Sequence, residues 1–305
     1  MAAVKEGVID LQGFVNERPF SPYQWLILVL CFLIVAIDGF DTASVGFVAP
    51  ALVEEWGVAR PALAPVLAAA LVGLAVGALA AGPLADRFGR KIVLVTAVLA
   101  FGSFSFASAF AGDIGALTTL RFLTGLGLGA AMPNATTLVS EYCPERRRSF
   151  FVTMMFCGFT LGSAAGGFLS AGLIPAFGWR SVFLVGGAAP LLLAVVLVLV
   201  LPESARFLVV KGAQPARVRA ILRRIDPRAD LSGATFTVPE QAARPGGSAL
   251  RGILAPQLLP GTLLLWCTYF CGLIVVYLLT SWLPTLMGQI GFTVSTAAWV
   301  TACFQ

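Results

Sequence analysis

The chain contains no histidine, and Asp, Glu, Lys and Arg together make up only 11% of its 305 residues, against roughly 25% in a soluble domain. The missing imidazole removes the commonest metal ligand and the usual acid–base group at neutral pH, so proton handling falls to carboxylates. The scarcity of charge excludes a water-soluble surface for a chain that is 58% hydrophobic with a mean hydropathy of +0.91. No nucleophile–base pair, metal cluster or phosphate-binding loop stands out, so an enzyme is not expected. Five of the six cysteines, Cys31, Cys157, Cys267, Cys271 and Cys303, lie in apolar runs where a thiol acts as a small hydrophobe. Cys267 and Cys271 share a helix face, but with no histidine or nearby carboxylate they do not make a metal site. No cleavable signal is evident in residues 1–21, which carry both charge signs and no apolar stretch. The first spanning helix is expected to act as the insertion signal.

What the chain has in abundance is long apolar runs. Crossing ~30 Å of hydrocarbon takes about 20 helical residues, and runs of that length occupy residues 23–46, 61–85, 92–111, 114–139, 150–173, 181–201 and 258–282. An eighth begins near Thr293 and is cut at Gln305. The formal net charge of +5 would fit a nucleic-acid partner if it were clustered, but its distribution reads as membrane topology. With the amino terminus inside, every Lys and Arg except Arg60, Arg121 and Arg180 falls on the cytoplasmic side, as the positive-inside rule requires.

The organisation predicted is a cytoplasmic amino terminus over residues 1–22, a six-helix bundle over 23–201, a cytoplasmic connection over 202–257 and the start of a second bundle over 258–305. The connection has too few apolar positions to be a separate soluble domain. It carries an amphipathic piece at 216–225, suited to a membrane surface, and a Pro, Gly and Ser-containing linker at 238–248. Glycines spaced four apart predict close helix contacts: Gly73 with Gly77, Gly125 with Gly129, and Gly158, Gly162 and Gly166.

An ionisable side chain at membrane depth costs several kcal/mol and is by default a functional-site hypothesis. Asp38 and Asp41 of the first span and Arg121 of the fourth meet that description. Counted from the outer ends of their runs, all three fall in the outward half of one bundle. Two neighbouring carboxylates raise the proton affinity of at least one, and an arginine lowers it. Proton occupancy would then depend on whether an anion has claimed the arginine, which is a minimal coupling device. The competing reading is a static ion pair that merely ties the first helix to the fourth, although a second buried acid would add expense without stability.

Between the second and third spans, residues 82–91 read Gly-Pro-Leu-Ala-Asp-Arg-Phe-Gly-Arg-Lys. The physical reading is a tight cytoplasmic turn in which Gly89 adopts a shape other residues resist and Asp86 accepts from a helix N-terminus. The stretch also resembles the signature loop of the major facilitator superfamily. Arg121 with Gly125, Gly127 and Gly129 resembles that family's fourth-helix motif, and Pro202-Glu203-Ser204 the segment after its sixth helix. Asp38-Gly39-Phe40-Asp41, Pro133-Asn134, Glu141-Tyr142-Cys143-Pro144-Glu145-Arg146-Arg147-Arg148 and 277–284 are similar to the superfamily's aromatic acid:proton symporter group.

The resemblance implies an all-α membrane protein of the major facilitator fold, in a bacterial inner membrane, carrying benzoate-like acids such as hydroxybenzoates with protons by alternating access. Asp38 and Asp41 would serve proton coupling, Arg121 and Asn134 substrate binding or an ion pair, and Gly82, Asp86, Arg87, Gly89 and Arg90 a gating loop. Phe40, Tyr269 and Tyr277 are aromatic candidates for stacking on the substrate. No metal and no cofactor beyond the coupling protons are expected. The partners are an aromatic carboxylate and the lipid bilayer, not nucleic acid. The family has twelve spans in two bundles, so the 305 residues read as a fragment or truncated product that would not transport alone. Alternatives are a symporter of another organic acid or a sugar-like solute, or a receptor or scaffold that has lost transport.

Overall fold

The computed structural model describes residues 8–213, 215–238 and 254–304; all of the 238–248 linker except Val238 lies outside them. Among the described residues, seven helices are long and apolar enough to cross a membrane. A short strand β1 (Val8–Asp10) and helix α1 (Leu11–Asn16) precede the long α2 (Pro22–Trp56). Next come α3 (Ala64–Phe88), α4 (Arg90–Ser108), α5 (Ile114–Tyr142), α6 (Arg148–Phe177) and α7 (Arg180–Val200). Short helices α8 (Ala205–Val210) and α9 (Pro215–Ile225) and strand β2 (Thr235–Thr237) lead to α10 (Leu259–Gln289) and the 11-residue α11 (Val294–Phe304).

The helix ends follow side-chain chemistry. Ser21 caps α2 by accepting from the Gln24 amide while Gln24 returns a bond to the Ser21 N–H, a reciprocal capping box. Asp113 caps α5 through the Ala116 amide. The first run, expected to close near Gly46, continues to Trp56 through Pro50. A proline is tolerated there because neighbouring helices re-satisfy the freed backbone groups. This corrects the depth of the acids: Asp38 and Asp41 sit near the midpoint of α2 rather than in its outward half.

The six helices form two triplets, α2–α4 and α5–α7, each helix of one packing on a helix of the other. Helix α2 packs on α6, α5 on α3, and α4 on α7. The glycine ladders make the first two contacts. A Cβ added at Gly73 or Gly77 would overlap the carbonyl oxygens of Phe122 and Leu126, and one at Gly125 or Gly129 those of Ala70 and Leu74. On the other face, Gly162 lies against the Ala36 carbonyl and Gly39 against that of Phe159. In an apolar solvent there is no hydrophobic drive between helices, so contact at backbone distance supplies the packing.

The end of the bundle that holds the amino terminus is more ordered than a tail and loop would be. Strand β1 pairs in parallel with β2, Val8 opposite Thr235; sequence patterning gave no sign of either strand. The Gln12 and Gln24 side-chain amides donate to the carbonyls of Cys143 and Tyr142 at 3.2 and 2.6 Å, and Asn16 accepts from the Glu145 amide at 2.8 Å. Helix α9 is amphipathic as expected, but its apolar side is not laid on a membrane. Val218, Leu222 and Ile225 are buried in one core with Leu11, Phe14 and Val15, because the protein itself offers that apolar surface at the base of the bundle.

Replacing Gly162 by leucine is expected to prevent accumulation of folded, monodisperse protein in detergent. Gly172→Ala, where an added Cβ meets nothing within 4 Å, should leave the thermal midpoint unchanged or raised by the better helix propensity of alanine.

Candidate functional site

Arg121 of α5 is fully buried; among the described residues its Nε has no hydrogen-bond partner, and its two Nη atoms make the polar contacts. Its Nη1 donates to both oxygens of Asp41 on α2, at 3.1 and 3.3 Å. Its Nη2 donates to Ser108 Oγ on α4 at 2.9 Å and to Thr124 Oγ1 at 3.1 Å. The guanidinium carbon lies 4.7 Å from the centre of the Phe183 ring on α7, a cation–π distance. Asp41 is equally buried and also accepts from the Ser105 hydroxyl on α4. Four helices therefore converge on one ion pair.

The hydroxyls differ in what they can do. Ser108 and Thr124 each give their proton to a carbonyl of their own helix, Phe104 and Leu120, both at 2.8 Å. Only lone pairs remain for Arg121, so both hydroxyls serve a cation and hold it whether or not Asp41 carries charge. The Ser105 proton goes to the carboxylate instead.

Asp38 does not join the pair. It is buried, accepts from Thr42 Oγ1 at 3.2 Å, and forms no ion pair among the described residues. Asn134 does not join it either. Its amide donates to Ala130 O of its own helix at 2.8 Å, roughly 20 Å further along α5 at 1.5 Å per residue.

A small cavity of about 20 Å³ borders the ion pair, lined by Asp41, Thr42, Leu71, Leu74, Arg121 and Tyr277 among others, enough for about one water. Leu67, Leu71, Leu74 and Tyr277 also line a larger recess of about 520 Å³ between α3 and α10, with Phe270 and Trp282 on its far side. The charged cluster thus stands at the edge of an apolar slot. Of the aromatic candidates, only Tyr277 is there. Phe40 is buried against Gly166 and Gly186, and Tyr269 is exposed.

At the end of the bundle where α3 meets α4, the signature stretch is mostly helix rather than turn. Helix α3 runs to Phe88, so Gly89 alone makes the corner, at φ +101°. A Cβ there would also overlap the Glu203 carboxylate. Asp86 pairs with Arg90 at 3.1 Å and does not cap α4; Glu203 does, accepting from the Lys91 amide at 3.1 Å and the Ser204 amide at 2.9 Å. Arg90 also faces Glu141 of α5 at 3.6 Å, and Glu141 accepts from the Ser204 hydroxyl. Gly82 is exposed with nothing near an added Cβ, and Arg87 is exposed over the Phe88 ring at 5.2 Å; neither joins this network.

Ser105, Ser108, Thr124, Phe183, Glu141 and Glu203 have no role in the sequence reading. The two serines, three apart in a span that also holds Thr96 and Ser103, were the signal within reach. A hydroxyl that can bond its own helix looks innocuous in a sequence.

Residues 31–305 match the Major Facilitator Superfamily. The chain is 57% identical over 297 residues to the 4-hydroxybenzoate transporter PcaK of Pseudomonas putida, which covers 97% of the chain and 66% of that protein. It is 54% identical over 305 residues to the protein of the same name in Acinetobacter baylyi, with 99% and 67% covered. It thus spans about two thirds of the length of these curated relatives. Among solved structures it resembles a double-Trp mutant of XylE, with a TM-score of 0.71 at 21% identity over 93% of the chain and 66% of XylE. At that identity the likeness concerns the fold alone. A multi-pass helical membrane protein, the chain belongs to the major facilitator superfamily.

Proposed function

We propose that the protein carries aromatic carboxylates of the 4-hydroxybenzoate kind across a bacterial inner membrane together with protons, by alternating access, with its amino terminus in the cytoplasm. The observation that carries this reading is the buried Arg121–Asp41 pair at the mouth of an apolar slot. An aryl acid has the complementary shape, a carboxylate for the guanidinium and a ring for the leucine and aromatic walls. A sugar would leave its hydroxyls facing Leu67, Leu71 and Leu74, at the penalty of unpaired polar groups. The names of the relatives support the same substrate class, including a benzoate transport protein at 32% identity.

The two acids divide the work. Asp41 is the exchangeable partner of Arg121: protonating it frees the arginine for the substrate carboxylate, while Ser108 and Thr124 keep the guanidinium in place. Asp38, buried and bonded among the described residues to the Thr42 hydroxyl and to no cation, carries the coupling proton. Asp86, Arg90, Glu141 and Glu203 form the cytoplasmic latch that ties α3 and α4 to α5 in this conformation.

Uptake of labelled 4-hydroxybenzoate by cells expressing the full-length form should fall tenfold or more in Asp41→Asn and in Arg121→Lys, since a loss of ~1.4 kcal/mol is already tenfold. A lysine cannot reach the carboxylate and both hydroxyls at once. Accumulation unchanged in both variants would remove the site assignment, and hexose outcompeting the aryl acid would remove the substrate class.

Asp38→Asn should behave differently, keeping exchange of labelled for unlabelled substrate while losing accumulation against a gradient. Equal loss of both activities would sink the division of roles.

Gly89→Ala should cut uptake severalfold at unchanged protein level, because the corner requires a positive φ and an added methyl collides with Glu203. Wild-type uptake in that variant would dissolve the latch.

A further inference from the structure

Helix α9 uses one side for the core and displays arginines on the other. Val218, Leu222 and Ile225 face inward, while Arg217, Arg223 and Arg224 are exposed, as are Lys211 before the helix and Arg228 after it. None of these five lies within ion-pairing distance of a carboxylate among the described residues. The acids nearby are already engaged. Arg18 donates to Asp226 at 2.8 Å and holds that carboxyl below its ordinary range, and Asp230 accepts from the amide and hydroxyl of Ser232 at 3.0 and 2.6 Å. Asp230 remains an anion near Arg223, and Asp226 lies near Arg228, so the five cations outnumber the acids beside them and the surface keeps a net positive charge.

One contact and one group of aromatic residues indicate its height relative to the bilayer. Arg224 lies 5.5 Å from the ring centre of Tyr23, in the first turn of α2. That helix has 35 residues, roughly 52 Å at 1.5 Å each, against ~30 Å of hydrocarbon and ~40–45 Å including headgroups. Its first turn therefore projects into the headgroup layer. Immediately after it, Trp25 is exposed and packs edge-on to Phe20 and Phe151, at 5.2 and 5.8 Å, and Phe150 beside them is exposed as well. Aromatic residues so grouped at a helix end mark the membrane–water interface.

We propose that the basic face of α9 is a docking surface for anionic phospholipid headgroups of the leaflet on the amino-terminal side. The occupant is a lipid rather than a soluble acidic partner because the helix is clamped to the base of the first span. Headgroup phosphates are thus present at its own level at high local concentration, within the ~8 Å over which surface charges act at physiological salt. The apolar side of α9 is occupied by protein, so attraction is by charge without insertion. The transport reading enters only in naming that leaflet cytoplasmic; the docking surface stands without it.

The test is the thermal unfolding midpoint of the purified protein in neutral detergent, with dioleoyl phosphatidylglycerol or dioleoyl phosphatidylcholine added. A ligand that binds only the folded state raises the midpoint. Phosphatidylglycerol should raise it by about 3 °C or more over phosphatidylcholine, and 0.5 M NaCl should abolish the difference. The triple variant Arg217→Gln/Arg223→Gln/Arg228→Gln should lose most of the shift, whereas the corresponding triple lysine variant should keep it. Arg224 is left in place because it packs on Tyr23. A full shift in the glutamine variant, or equal shifts with the two lipids, overturns the proposal. So does protection by polyglutamate or a DNA oligonucleotide where phosphatidylglycerol gives none. Because the readout is binding, a failed transport assay would leave this result standing, and the reverse also holds.

Discussion

A guanidinium and a carboxylate with essentially no access to solvent, 3.1 Å apart across two helices, constrain everything packed around them. Removing both charges from water is expensive, and their mutual attraction repays it only when the remaining donors and acceptors are also satisfied. That requirement explains why α4 brings Ser105 and Ser108, why Thr124 follows Arg121 by one turn, and why the Phe183 ring lies against the guanidinium. A pair of well-packed leucines would join α2 to α5 at less expense. Keeping charge at such a position is accounted for by the carrier role proposed above and not by a mere strut.

The ion pair in turn depends on glycine. Helix α5 presents Gly125 and Gly129 to α3, and α2 presents Gly39 to α6 while receiving Gly162. Both helices are thereby held at backbone contact with a neighbour, and their remaining faces are directed at each other with little rotational freedom. Had larger side chains stood in the ladders, the axes would separate and the arginine would lose either its carboxylate or its hydroxyls. The same close contact is smooth along its length. Small surfaces of this kind can also slide, as alternating access in this superfamily demands.

At the amino-terminal end of the bundle a second polar network works in a more exposed setting. Arg90 stands between Asp86 and Glu141, while Glu203 satisfies the Lys91 amide at the start of α4 and crowds Gly89. Because partners come from α3, α5 and the segment after α7, the network couples the two triplets at their base. The folded amino terminus, tied on by β1 and β2 and by Gln12, Asn16 and Gln24, reinforces the same end and carries α9 on its flank.

Much of this was legible in the residue order because it depends on local properties. Apolar runs of spanning length, the sidedness of Lys and Arg, the four-residue glycine spacing and the presence of Asp38, Asp41 and Arg121 inside apolar runs are all one-dimensional facts. Each translates into structure through the bilayer's thickness and its intolerance of charge. Tertiary structure decided what depends on helix rotation and depth. Of two acids three residues apart, only Asp41 turns to Arg121; Asn134 bonds its own helix; two serines complete the pair; and Glu203 rather than Asp86 caps α4. The fate of the apolar side of α9 was equally open, since a sequence cannot say whether lipid or protein will cover it. A helical residue's chemistry is written in the chain, but the direction it faces among several packed helices is a property of the assembled bundle.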